Sequence, residues 1–366
     1  MSPRRLILSY VSGHGFGHAA RVCEVLRALR GRLPDLDYAI RSPLARWFFD
    51  FNLGLEFAYA PARLDVGVVQ TDSLSPDLPA TQRAYAALDA GAARLIAAEV
   101  SAVAPLRPAL VLADIPALAF DVAEQLGVPG VAMSNFSWDW IYADYAQASP
   151  AFSPLVERLR ASYGRAALLL RLPLHGDMSA FPRIRDVPLV ARRAALSADA
   201  VRGRLSLPHD QQLVLLSFGG MGLYLRAVPR LPGVAFLMTG GTAVGDAPPS
   251  GCRTITHDAM TRAGVRYEDL VGACDAVMTK PGYGIVAECI ANRTPMVYTA
   301  RGQFAEYDCL LAGIEAHLTS AFISQDDLSS GRWSAALDAV FARGRRATTV
   351  RTDGADVAAD VLASLL

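Results

Sequence analysis

No stretch of this 366-residue chain approaches the roughly 18 consecutive apolar residues that a membrane span requires. The apolar run at residues 6–11 follows two arginines. It is too short for a signal-peptide core and ends in Ser12-Gly13-His14-Gly15 without a cleavage pattern, so it reads as a first strand. Charge of one sign is also missing: 35 basic and 35 acidic side chains leave no net charge. That balance excludes the broad phosphate-neutralising surface of a nucleic-acid binder, while a small anion held by backbone amides would leave no mark on it. The five cysteines (Cys23, Cys252, Cys274, Cys289, Cys309) include no CxxC pair and no Cys/His group at zinc spacing. They read as reduced structural thiols, with a cytoplasmic protein and no metal or cofactor as the expectation. Lysine is scarce beside arginine, a bias of composition to which no function is attached.

What is present is apolar and regular. Hydrophobic residues make up 52% and charged residues 19%, as in a well-packed α/β protein, and the length exceeds what one core usually organises. Short apolar runs alternate with amphipathic stretches, the pattern of parallel sheets covered by helices. Strands are expected at 6–11, 37–41, 110–112 and 130–133, with helices at 19–30, 84–103 and 117–126. The pattern restarts with strands at 213–218, 234–239, 253–256, 276–279 and 295–298, and a helix from about Ile285. The expectation is two tandem Rossmann-like, doubly wound parallel-sheet domains facing a cleft. The first covers 1–191 and the second 192–366, with the last helix free to pack back on the first.

Ligands of such sheets bind beyond the carboxyl ends of the strands, so the turns there carry the chemistry. Directly after the first strand comes Ser12-Gly13-His14-Gly15-Phe16-Gly17-His18, whose glycines allow a tight turn into a helix N-terminus that favours anions. Its G-x-G-x-G spacing departs from the dinucleotide G-x-G-x-x-G, and no acid clearly ends the second strand, which disfavours an NAD site. A neutral imidazole of His14 or His18 could take a proton from a hydroxyl or a water. The plainer alternative is a histidine that only bonds a loop carbonyl. Asp114 and Asp139 are the candidates to polarise a histidine.

In the second half, glycine pairs end two consecutive strands, at Gly219-Gly220 and Gly240-Gly241-Thr242, either as turn chemistry or as a phosphate cradle. In Thr279-Lys280-Pro281-Gly282-Tyr283-Gly284-Ile285-Val286-Ala287-Glu288, amides near Gly282 to Ile285 could hold a diphosphate. Glu288 could accept from both ribose hydroxyls, and Lys280 either neutralises phosphate or pairs with an acid. Polar residues in 301–308, Gln303 and Glu306 among them, could reach sugar hydroxyls, unless they only charge a helix N-terminus. Asn135 and Trp138, in Ser134-Asn135-Phe136-Ser137-Trp138-Asp139, suit an acceptor pocket or the core.

Together these motifs resemble the GT-B glycosyltransferase superfold. The loop ending Gly17-His18 and the Gly282–Glu288 stretch are similar to the acceptor-side and donor loops of the lipid-II N-acetylglucosaminyltransferase group. That likeness implies a UDP-linked sugar, metal-independent chemistry, a ribose-binding Glu288 and a Tyr267 that flanks the base. A further likeness is to the glycosyltransferase-like N-terminal region of plant L-arabinokinases. It rests on 12–21, Asp65-Val66-Gly67 with Gln70 and 72–75, 134–142, 170–173, 186–190 and 282–288. No kinase phosphate loop is present up to Leu366, so arabinokinase activity is not expected. The run Gly15-Phe16-Gly17-His18-Ala19-Ala20-Arg21 also resembles the loop of nucleotide-sugar hydrolases of the pseudaminic-acid pathway, whose loop histidine is a base.

The resulting expectation is an inverting glycosyl transfer from a nucleoside-diphosphate sugar to an unidentified acceptor, with His14 or His18 as base. The donor would be held by Gly219, Gly220, Tyr267, Lys280, Gly282, Tyr283, Gly284, Glu288, Gln303 and Glu306. The acceptor would meet Gly15, Asp65, Gln70, Asp114, Asn135 and Trp138. The alternatives are a hydrolase that uses water as acceptor and a nucleotide-sugar-binding regulator without catalysis.

Overall fold

The computed structural model describes residues 5–71, 76–219, 228–239, 251–300, 302 and 304–366. Gly220, Gly240, Gly241, Thr242, Arg301, Gln303 and 72–75, all singled out above, lie outside the described residues.

Two parallel sheets organise the chain. The first contains β1 (Leu6–Val11), β2 (Asp37–Arg41), β3 (Ala58–Ala60), β4 (Leu110–Asp114), β5 (Gly130–Ser134), β6 (Leu168–Arg171) and β7 (Ile184–Asp186). Their order is β3-β2-β1-β4-β5-β6-β7. The second contains β8 (Gln212–Ser217), β9 (Val234–Thr239), β10 (Cys252–Ile255), β11 (Ala276–Thr279), β12 (Met296–Tyr298) and β13 (Ser320–Phe322), in the order β10-β9-β8-β11-β12-β13.

β1, β4 and β5 are buried along their whole length. Helices cover both faces of such a sheet, which is why these strands appear in the sequence as unbroken apolar runs. The edge strands β3, β7 and β13 have three residues each and too little burial to leave that signal. The single helix expected at 84–103 is two, Leu78–Ala90 and Ala92–Val103, parted at Gly91. A glycine inside a helix costs about 1 kcal/mol relative to alanine, and here the chain breaks at it.

Each sheet reverses its strand order once, at β1/β4 and at β8/β11. These switch points open a crevice beyond the strand carboxyl ends. The first sheet ends at Asp186 and the second begins at Gln212. Between them, Val187 and Val190 pack into a core of the first half and Leu189 into one of the second. The N–H groups of Ala194 and Ala195 donate to Asn292 (2.8 Å) and Asp269 (2.7 Å), which pins the segment to helix ends of the second half. The chain then crosses back: helix Gly354–Leu365 packs on helix Phe16–Arg32, burying Ala358, Ala359 and Leu362 in the first half's core. Small alanines permit that close approach. At Gly354 any Cβ would stand 2.0 Å from the Pro188 carbonyl oxygen, so only glycine fits the crossing.

Among the described residues no helix is long and apolar enough to cross a membrane. All five cysteines are free, and Cys23, Cys274 and Cys289 are buried. Burial pushes the Cys23 and Cys274 thiols up to about 12, far from nucleophilic range.

Candidate active site

β1 and β4 run side by side with Val11 opposite Asp114, and the Ser12 N–H donates to the Asp114 carbonyl at 2.8 Å. This register lays the first turns of helix Phe16–Arg32 over the Asp114 carboxylate. His18 and Arg21, three residues apart on one helix face, reach it together. His18 Nδ1 lies 2.8 Å from Asp114 Oδ1, and Arg21 Nη2 donates to the same oxygen at 2.6 Å while its Nε donates to Oδ2. Arg21 also donates to Asn135 Oδ1 and, at 3.2 Å, to Ser134 Oγ. Burial would raise the Asp114 pKa, but the Arg21 and His18 charges outweigh it and hold the carboxyl below its ordinary 3.8. An ionised Asp114 accepts from Nδ1–H, which leaves the lone pair of a neutral His18 on Nε2.

His14 is held the opposite way. The Val68 N–H donates to its Nδ1 at 3.4 Å, so in the neutral ring the proton sits on Nε2. Its edge rests on the Trp138 indole, with centroids 5.1 Å apart, and Trp138 Nε1 donates to Asp65 at 3.0 Å. Burial raises the Asp65 pKa. Gly67 closes the far side of His14: its φ is +71°, and a Cβ there would lie 2.6 Å from Nδ1.

At the second switch point Ser217 pairs with Thr279 across β8 and β11. The chain after β11 enters helix Tyr283–Asn292 through Gly282, which brings no side-chain cap. The first-turn amides of a helix have no intrahelical partner and attract anions. Lys280 extends over Gly219, where a Cβ would stand 3.9 Å from Lys280 Cε. The Tyr267 and Ser217 hydroxyls lie 2.7 Å apart.

Glu288 faces inward, 4% exposed. Arg192, from the pinned segment between the sheets, donates to it through Nε at 2.7 Å and through Nη2, both on Oε1. Neither bond uses Oε2. Arg192 Nη1 donates to Asn52 of the first half at 2.6 Å and lies 3.3 Å from Glu268. Burial raises the Glu288 pKa and Arg192 opposes the rise.

The two halves meet at their helix N-termini. A Cβ on Gly284 would come within 2.9 Å of Gly17 Cα, and the Phe136 and Tyr283 rings stack at 5.8 Å across the seam. Around this contact opens a cavity of about 740 Å³, lined from the first half by His14, His18 and Gln70 and from the second by Lys280, Gly282 and Glu288. That volume suits a small-molecule site.

No family model matches the chain. Over 345 residues it is 31% identical to the L-arabinokinase of Arabidopsis thaliana, an alignment that covers 92% of this chain and 32% of that protein. The chain thus spans about a third of the length of the curated relative it matches. Its structure is similar to that of Arabidopsis thaliana UGT89C1 complexed with UDP-L-rhamnose, with a TM-score of 0.59, 15% identity and 100% of both chains covered. It is also similar to a UDP-glucosyltransferase from Polygonum tinctorium, with a TM-score of 0.59, 13% identity and 99% and 98% of the two chains covered. The glycosyltransferase of kitacinnamycin gives a TM-score of 0.58 at 17% identity over 100% of both chains. The fold is GT-B.

Within the GT-B cleft the residues expected from sequence separate into three groups. His14, Gly15, His18, Asp65 and Gln70 line the cavity from the first half, and Gly219, Tyr267, Lys280, Gly282, Tyr283, Gly284, Glu288 and Glu306 line it from the second. Asp114, Asn135 and Trp138 stand behind that surface. Asp114 holds His18, Asn135 holds Arg21, and Trp138 backs His14, and none of the three lines this cavity. Asp139 is the correction: its carboxylate lies 3.3 Å from Arg160 Nε, and the carboxylate bonded to a histidine is Asp114. Asp139 sits in the first turn of the helix after β5, whereas Asp114 ends the strand beside β1. Sequence reading missed Arg21 and Arg192 as site residues. The i,i+3 spacing of His18 and Arg21 could have revealed the first. Nothing local marks the second, whose partner is 96 residues away.

Proposed function

We propose that the protein transfers a sugar from a nucleoside-diphosphate donor, UDP-linked in the first instance, to a hydroxyl acceptor with inversion. The observation that carries this reading is the His18–Asp114 pair at 2.8 Å, with Nε2 left to accept a proton at the cavity where helix Tyr283–Asn292 points its N-terminus.

In this mechanism the acceptor O–H gives its proton to His18 Nε2 while its oxygen bonds to the anomeric carbon. The bond from that carbon to the diphosphate oxygen breaks, and the diphosphate leaves with the electron pair. Amides at Gly282 to Ile285 and the Lys280 ammonium balance the leaving charge, so no metal is assigned to this step. Glu288 Oε2 accepts from a ribose hydroxyl. Because Arg21 already neutralises Asp114, the proton taken up by His18 leaves that cluster with a net positive charge. A donor diphosphate in the same cavity offsets it. His14 lines the same cavity and holds its proton on Nε2, so it is not the base.

Incubation with a panel of UDP-sugars tests the reading. Transfer predicts slow UDP release alone and faster release with acceptors. Rapid release without any acceptor would make the protein a hydrolase. UDP should raise the melting temperature of the wild type, and Glu288→Ala should remove most of that shift. A full shift in the variant would place the donor elsewhere.

A further inference from the structure

One wall of the cavity takes no part in the chemistry above. Helix Arg46–Leu53 of the first half brings Trp47, Phe48 and Phe51 to it, beside Phe16 and, from the second half, His257. Phe16 stacks on Phe48 at 4.7 Å and lies 6.0 Å from Trp47. Trp47 meets His257 at 4.3 Å, and Phe51 meets it at 5.9 Å. The rings form one continuous surface across the seam. Trp47 is 39% exposed, against 1% for Trp138 and 0% for Trp333. An open indole among other rings inside a cavity marks a binding surface more than a packing need.

The same helix reaches the donor carboxylate. Asn52, five residues after Trp47, accepts from Arg192 at 2.6 Å, and Arg192 holds Glu288 at 2.7 Å. Arg266 adds a bond to the Asn52 carbonyl at 3.2 Å. A nucleotide base is joined directly to its ribose, so a ribose on Glu288 Oε2 keeps its base in the cavity that this helix lines. Tyr267, the ring expected to flank the base, has the Arg192 guanidinium over it at 5.7 Å and its hydroxyl tied to Ser217. One face of that ring is thus covered, and the rings of helix Arg46–Leu53 offer a second stacking surface in the same cavity.

We propose that the wall centred on Trp47 seats the nucleobase, so that the first half stacks the base of a nucleotide whose ribose and phosphates the second half holds. This rests on the donor assignment of Glu288. It makes the donor site a composite of both halves, and neither half alone binds the whole nucleotide. Stacking tolerates any base, so preference among nucleotides at this wall is shallow.

Titration of the full chain with UDP, monitored by tryptophan fluorescence and calorimetry, tests the proposal, with inorganic pyrophosphate as a base-free probe. UDP quenches the fluorescence of the wild type, and Trp47→Phe loses that quench while keeping most of the affinity. Trp47→Ala weakens UDP about 5- to 150-fold, the range for loss of one base–aromatic stack, and leaves the pyrophosphate thermal shift unchanged. Unchanged UDP affinity in Trp47→Ala overturns the proposal. So does an equal loss of UDP and pyrophosphate, since Trp47 would then only hold the halves together. UDP binding that survives Trp47→Ala but not Glu288→Ala sinks the wall alone. Binding that survives both removes the donor assignment with it.

Discussion

The two switch points are built on one plan and finished in opposite ways. At β1/β4 the working groups are side chains, tied to each other from behind: Asn135 holds Arg21, Arg21 and His18 share Asp114, and Asp65 holds the Trp138 that backs His14. At β8/β11 they are mostly backbone, an uncapped helix N-terminus and a glycine turn, with Glu288 half engaged by Arg192. In the proposed mechanism the difference follows the task. Moving a proton requires one ring in one tautomer, which takes a fixed partner. Holding a diphosphate requires several weak donors at once, which a helix end supplies without any side chain. The first region should therefore tolerate few substitutions at its side chains, and the second few at Gly219, with φ +79°, and Gly284, which abuts Gly17.

The strongest way to break this comparison is at His18. His18→Ala should lower turnover by about 10²- to 10⁴-fold, the usual contribution of a general base, while the UDP thermal shift stays. His14→Ala should cost clearly less, because its Nε2 carries the proton. A larger loss at His14, measured as initial rates with the same donor and acceptor, would reverse the two assignments.

The glycine side gives the next effect. Gly284→Ala places a methyl 2.9 Å from Gly17 Cα and forces two helices apart, whereas Gly17→Ala meets Gly284 only at 3.4 Å. Overpacking of this kind costs about 1–3 kcal/mol, so Gly284→Ala should melt several degrees lower and Gly17→Ala should be the milder change. Equal melting temperatures would show that the seam is looser than its contacts indicate.

Much of this was legible in the sequence, and the rest was hidden for definable reasons. The bounds of β1 and β2 were read to the residue because a buried parallel strand between turn residues is unambiguous. Helix Arg46–Leu53 was not read: it is eight residues long and its rings resemble core. The loop histidines stood out as a pair, but the choice between them depends on what Nδ1 meets. Asp114 lies 96 residues beyond His18 and Val68 lies 54 beyond His14. The same holds for Glu288: the sequence offers both of its oxygens, and Arg192, 96 residues away, occupies one of them. Motifs show which residues face a crevice. Which of their atoms are already engaged is a tertiary fact.

The smallest effect is one of pH, and it separates the two regions by sign. Asp114 has a depressed pKa in the folded protein, so its contribution to stability is complete above 3.8 and is lost as pH falls below that through its folded value. Glu288 has a raised pKa, so ionising it costs stability, and that cost disappears as pH falls through its folded value towards 4.5. Asp114→Asn should therefore be less stable near neutrality and flatten the acid limb of a stability curve below pH 3.8. Glu288→Gln should remove a destabilising step above 4.5, although Arg192 then loses its closest partner. Urea unfolding midpoints from pH 3 to pH 7 read both. An acid limb left unchanged by Asp114→Asn would mean that Asp114 is not held ionised. The fixed tautomer of His18 would then lose its cause, and the contrast between a side-chain site and a backbone site would lose its first half.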